Sequence, residues 1–170
     1  YRAKKGQIYT ENYGSALSTD HYIFRGDEKG ENFEPCFTQH GFRYLSITGL
    51  KTPLPLSSVQ GIVLESVGKQ KSSYETSDSS VNRLFENIVW GQRGNFLSVP
   101  TDCPQRHERY GWTGDAQIFS RSATYNMNVD PFYTRWMYTL RDDQEEKGAY
   151  GGFFPNIGFP PTVSSHDHIN

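Results

Sequence analysis

Pro100-Thr101-Asp102-Cys103-Pro104-Gln105-Arg106-His107-Glu108-Arg109-Tyr110-Gly111-Trp112-Thr113-Gly114-Asp115 places three carboxylates, two arginines, an indole and two glycines between two runs of helical periodicity. Pro104, Gly111 and Gly114 break regular structure, so the segment reads as a connector, and a plain connector needs none of those side chains. Positions 102, 108 and 115 share no helical period. On loop turns their carboxylates can nevertheless converge on one point. Asp115 falls in the first turn of the following helix, where the macrodipole favours negative charge.

On the N-terminal side of this loop, Ser77 or Asp78 is placed to cap a helix whose apolar positions Val81, Leu84, Phe85, Ile88 and Val89 share a face, widened by Trp90. On its C-terminal side a second helix is expected from about Asp115 to Asn126, burying Ile118, Phe119, Ser122 and Ala123. Asp130-Pro131 then starts a third, with the acid at the cap and proline in the first turn. Phe132, Trp136, Met137 and Leu140 supply its core stripe. The last thirty residues, with Gly148, Gly151, Gly152, Pro155, Pro160 and Pro161, read as loop.

Further upstream the apolar period shortens from three or four to two. Tyr22-Ile23-Phe24, the run from Phe42 to Thr48, and Gly61-Ile62-Val63-Leu64 are strand-like pieces between Gly, Pro and Asp clusters. The run from Phe42 has apolar residues on both faces, as a strand of a sandwich does. Gly68-Lys69-Gln70-Lys71-Ser72-Ser73 is polar and flexible in character and marks the change of period. The expected organisation is therefore a β portion over 1–67, a linker over 68–77 and a helical portion over 78–170.

The chain has 170 residues, room for one domain or parts of two. A net charge of -2 with scattered Lys and Arg argues against nucleic acid as a partner. Mean hydropathy is -0.71 and no apolar run approaches the roughly 20 residues of a membrane helix, so no membrane partner is expected. Cys36 and Cys103 lie far apart in dissimilar surroundings, giving neither a disulfide framework nor a metal knuckle. The first residue is Tyr1. Any targeting peptide is expected to lie outside this sequence, and the compartment, cytoplasmic or secreted, stays open.

The acid-rich loop suits glycoside hydrolysis, which needs a carboxylic acid of raised pKa to protonate the departing oxygen. Two neighbouring carboxylates and the wall of Trp112 would raise Glu108, whereas Arg106 and Arg109 would oppose this. The remaining carboxylates can accept paired hydrogen bonds from vicinal sugar hydroxyls while the indole stacks on the CH face. Asp102-Cys103-Pro104-Gln105-Arg106, Glu108-Arg109 and Gly111-Trp112-Thr113-Gly114-Asp115 together resemble the signature of bacterial α-L-rhamnosidases. Phe37-Thr38 with His40-Gly41-Phe42-Arg43-Tyr44 resembles the end of that family's β-domain, and Trp90-Gly91-Gln92-Arg93-Gly94-Asn95-Phe96 its first barrel helix.

The resemblance implies the C-terminal part of a β-sandwich domain followed by the first helices of an (α/α)6 barrel. It implies removal of terminal α-L-rhamnose from a rhamnose-containing glycoside or polysaccharide with inversion, without cofactor or metal. Carried over residue by residue, Glu108 matches the general acid, Asp102, Trp112 and Asp115 match rhamnose-binding positions, and Arg106 matches a pocket arginine. His107 departs from the family, which usually has aspartate there. The family's general base, a glutamate on a later barrel helix, has no matching position, so the chain is expected to be a segment, inactive alone, whose partner is the remainder of the barrel.

Plainer readings stand beside these. The three acids can be caps or solvated loop charges, and Arg106 and Arg109 orienting groups or surface cations. Trp112 can be a core plug, as Trp90 and Trp136 are expected to be, and Cys103 a small buried thiol. His166-Asp167-His168 reads as an exposed tail, since no third anchored ligand accompanies the spacing. The rival function is a noncatalytic carbohydrate-binding or interaction module that keeps the sugar pocket without the chemistry.

Overall fold

In a computed structural model the described residues are 6–144 and the short strand Phe153–Phe154. The C-terminal loop expected around the later glycines and prolines, and His166-Asp167-His168, lie outside them. The chain divides into two compact units. One runs to Ile62 and takes in Gln105–His107; the other begins at Val63 and takes in the remainder.

The first unit follows an extended course, with two short 3-10 turns at Glu11–Tyr13 and Leu56–Ser58. The strands expected over 22–24, 42–48 and 61–64 pair into no ladder among the described residues. Strand-forming side chains are present, but a strand is held only by hydrogen bonds to a neighbour. Phe42, Tyr44, Leu45 and Ile47 are exposed on both faces of their run, so the sandwich-like covering expected there is not seen. Local order comes from other sources. The Glu31 carboxylate accepts hydrogen bonds from the Tyr22 hydroxyl and from the amides of Arg25, Gly26 and Asp27, closing the turn over 25–31. Those donors, the Tyr22 hydroxyl foremost, pull Glu31 down to about 2. Tyr22 packs on Phe33 with ring centroids 4.9 Å apart.

The second unit is helical. It contains α1 (Ser79–Asn95), the two-residue strands β1 (Phe96–Leu97), β2 (Val99–Pro100) and β3 (Gly111–Trp112), then α2 (Thr113–Asn126), α3 (Asp130–Asp142) and β4 (Phe153–Phe154). Asp78 caps α1 by accepting from the Ser80 amide at 2.8 Å, as its position suggests. β1 and β2 form an antiparallel hairpin around Ser98, whose positive φ of 68° is held where its amide meets Ser66 Oγ at 2.9 Å. β3 pairs antiparallel with β4. The backbone of residues 68–71 bonds to Asn126 and Asn128 at the end of α2, and Gly68 has no room for a Cβ, which would stand 2.9 Å from the Asn128 carbonyl oxygen.

The core joins Val89 and Phe96 to Ala123, Met127, Val129 and Phe132. Phe96 stacks on Phe132 at 4.6 Å between centroids. A second cluster gathers Ala116, Trp136 and Leu140, so Trp136 is a core residue as expected. The helix faces are rotated from those expected. On α1 the inward stripe is Phe85, Val89 and Gln92, while Val81, Leu84 and Ile88 are exposed. Trp90 is exposed too, with the Arg93 guanidinium 4.9 Å from its ring centre. On α2, which starts two residues earlier than expected, Thr113, Ala116, Ala123 and Asn126 are buried and Ile118 points outward. On α3 Met137 is exposed. The physical reason is polar: Gln92 and Asn126 face inward because they satisfy each other. Asn126 Nδ2 donates to Gln92 Oε1 at 3.0 Å, and Gln92 Nε2 to the Ala123 carbonyl at 3.2 Å. No helix among the described residues is long and apolar enough to cross a membrane.

Candidate functional site

The acid-rich loop leaves β2 and returns at β3. Its two ends are tied by the Thr101–Gly111 bridge and by the Asp102 amide, which donates to the Tyr110 carbonyl at 3.3 Å. Thr101 is anchored to the end of α1, its amide and hydroxyl both donating to the Asn95 carbonyl, at 2.8 and 2.7 Å. A loop closed at its neck brings residues six apart in sequence together at one end, and this is where the chemistry gathers.

Asp102 and Glu108 are both half-buried, and a hydrogen bond joins their carboxyls. Cys103 stands with them: one ligating atom from each of the three lies within 4.8 Å of the others. Cys103 adopts a positive φ of 36°, a turn that an L-residue adopts only at some cost and that folds the chain back just after Asp102. Its thiol is half-buried rather than enclosed. Burial first, then the hydrogen bond and charge of Glu108, then the charge of Asp115, push Asp102 up to about 6.

The other expected site residues are placed as follows. Asp115 lies in the first turn of α2, exposed, and acts on Asp102 through its charge. Trp112 ends β3 half-buried, its ring edge-on to Tyr110 with centroids 6.4 Å apart. Arg106 is half-buried and belongs with Gln105 and His107 to the first compact unit. Within that unit His107 rests on the turn at 13–15: its amide donates to the Tyr13 carbonyl at 3.3 Å, and its Nδ1 lies 3.4 Å from the Ser15 amide. Reading the sequence does not single out Gly14, and it marks Gly41 only within the stretch 40–44 that resembles the end of the family's β-domain. A Cβ on Gly14 would stand 2.2 Å from His107 Nδ1, and one on Gly41 2.7 Å from the Gln105 Cβ.

A half-buried carboxyl pair carrying a raised pKa, on a loop rich in aromatic and guanidinium groups, is proton-transfer equipment of the kind glycosidases use. Residues 69–168 match the family model described as the bacterial alpha-L-rhamnosidase 6 hairpin glycosidase domain, and residues 3–65 the bacterial alpha-L-rhamnosidase concanavalin-like domain. The chain belongs to the bacterial α-L-rhamnosidase family. It is 46% identical over 153 residues to an alpha-L-rhamnosidase of Streptomyces avermitilis, covering 90% of this chain and 15% of that protein. It is 44% identical over 163 residues to one of Formosa agariphila, covering 94% of this chain and 17% of the relative. Among solved structures, the native α-L-rhamnosidase of Aspergillus terreus aligns with a TM-score of 0.58 and 41% identity, over 63% of this chain and 12% of that one. The chain thus spans about a sixth of the length of these curated relatives.

Proposed function

We propose that the protein carrying this chain hydrolyses terminal α-L-rhamnose from glycosides or polysaccharides by an inverting mechanism, with Glu108 as proton donor. In this reading residues 1–67 close a β-sandwich domain, 68–77 connect, and 78–170 open an (α/α)6 barrel. The observation that carries it is the Asp102–Glu108 carboxyl pair. Two carboxyls in hydrogen-bond contact cannot flank a sugar. A retaining pair stands about 5–5.5 Å apart and an inverting pair about 6.5–9.5 Å. Asp102 is therefore not the base opposite Glu108, and that base belongs to another part of the longer protein. The pair instead holds a proton at near-neutral pH, which an acid catalyst requires. Asp102, Asp115 and Arg106 then bind rhamnose hydroxyls, and Trp112 offers an apolar face to the ring. The relatives bearing the name alpha-L-rhamnosidase support the substrate class.

The test uses the full-length protein on rhamnosides with activated and unactivated leaving groups. Glu108→Gln keeps the size of the side chain but delivers no proton. Its kcat should fall by about 10²- to 10⁴-fold on the unactivated substrate, with much of the loss recovered on the activated one. Equal losses on both would leave Glu108 as one more sugar ligand. Rhamnose binding without turnover by the parent protein would favour the noncatalytic module.

A further inference from the structure

The middle of the acid-rich loop is seated on two glycines that lie more than sixty residues upstream. Gly14 has a φ of 63°, and its missing Cβ leaves the space that the His107 ring occupies. The seat is hydrogen-bonded through the His107 amide to Tyr13 and through the Ser15 amide to His107 Nδ1. Gly41 faces Gln105, whose Cβ and Cα would lie 2.7 and 3.0 Å from an added Cβ. The two contacts differ in kind. An imidazole can rotate away from an intruding methyl, whereas the Gln105 Cα is backbone and moves only if the chain moves. Gly41 adopts no positive φ, so a methyl group there tests proximity alone. Gln105–His107 are the residues immediately before Glu108 in the chain, so a displacement at 105 is passed on within three peptide units to its carboxyl.

We propose that Gly14 and Gly41 are positioning residues of the acid loop, leaving the space in which Gln105 and His107 seat and thereby setting where Glu108 delivers its proton. For its kinetic consequence the proposal rests on the rhamnosidase reading. The seat itself does not.

The experiment compares Gly41→Ala, Gly14→Ala and the control Gly61→Ala in the full-length enzyme, Gly61 having no atom within 4 Å of an added Cβ and no positive φ. A shift of about 1 Å at a catalytic group costs on the order of 10²-fold. Gly41→Ala should therefore lose about 10²-fold in kcat on an unactivated rhamnoside, with KM nearly constant and a smaller loss on an activated one. Gly14→Ala adds the strain of a Cβ at a φ of 63° to the contact with His107, so the part of its loss that reads the seat is the part restored when His107→Ala empties the space. Gly61→Ala should match the parent. Backbone hydrogen exchange of the peptide spanning 105–108, followed by mass spectrometry, should rise in Gly41→Ala and stay at the parent level in Gly61→Ala. Losses equal on both substrates, or a Gly41→Ala enzyme that behaves like Gly61→Ala, would overturn the proposal. If the parent turns over no rhamnoside, the activity reading fails by itself, and unchanged exchange at 105–108 in Gly41→Ala would still refute the seat.

Discussion

Replacing Asp102 by Asn should flatten the dependence of stability on pH. Partial burial, the Glu108 carboxyl bonded to it and the Asp115 charge hold Asp102 at about 6 instead of 3.8. A group raised in the folded state binds its proton more tightly there than in the unfolded chain. Its favourable contribution is complete below the unfolded value near 3.9 and is lost as pH rises through about 6. At about 1.4 kcal/mol per pH unit, the difference between 3.8 and about 6 converts to about 3 kcal/mol. The side chain is only partly enclosed, and water screens its neighbours, which reduces the figure to about 1 kcal/mol. Asn keeps the shape, can donate to Glu108 and carries no charge. The variant should match the parent near pH 4 and exceed it by about 1 kcal/mol near pH 7.5. Parallel denaturation series of the two proteins between those limits measure the difference; groups remote from Asp102 cancel in it, while Glu108, bonded to Asp102, titrates with it, so the difference reads the pair. Parallel curves, or a variant less stable than the parent at pH 7.5, would show that Asp102 does not carry the strained charge.

Two further expectations concern the scaffold. Asp78→Ala removes the acceptor of the Ser80 amide at the start of α1 and should destabilise the helical unit by about 1 kcal/mol, read from chemical denaturation; no change would mean that water caps the helix equally well. Asn126→Ala strands the buried Gln92 amide and should cost about 1–3 kcal/mol, whereas a Gln92→Leu/Asn126→Leu double variant should cost less, because it leaves no orphan behind; additive losses across the two sites would refute the pairing.

Much of the helical unit is legible in the sequence because its signals are local. Asp78 before an apolar run and Pro131 in a first turn act through the nearest backbone groups, and both helices begin beside them, although Asp130, expected at the cap, lies inside α3, whose N-cap is Val129 with no side-chain cap. The faces were harder to read. Counting apolar residues directs Leu84, Ile88, Trp90, Ile118 and Met137 inward, yet all five are exposed, while Gln92 and Asn126 are buried. Hydropathy cannot register that two amides thirty-four residues apart satisfy each other. The strand-like runs form no ladder among the described residues for a related reason: propensity marks Phe42–Thr48 as able to pair, but a ladder depends on which chain lies beside it. In the site, the sixteen-residue loop announced its acids by composition. That Asp102 is raised followed only from burial and contact, and the seat on Gly14 and Gly41 from distances no spacing encodes.

In the proposed reading, the carboxyl pair also explains why a loop, rather than a helix, carries the acid. Residues 102 and 108 on one helix would be separated by about 9 Å of rise, too far for their carboxyls to share a hydrogen bond without strain. The loop closes that gap with two devices that a helix lacks: a neck tied by Thr101–Gly111 and by the Asp102 amide, and the left-handed turn at Cys103 just before Pro104. Each costs some conformational freedom, and neither adds a large apolar contact. A pair made in this way binds one proton more firmly than an isolated carboxylate, which keeps a donor available at near-neutral pH. In the proposed reading the donor is the carboxyl that reaches the departing oxygen, Glu108, and Asp102 holds the proton with it. Assigning the exit to Glu108 therefore turns on leaving-group dependence, whereas assigning the hold to Asp102 turns on the pH dependence of stability, and the two measurements are independent.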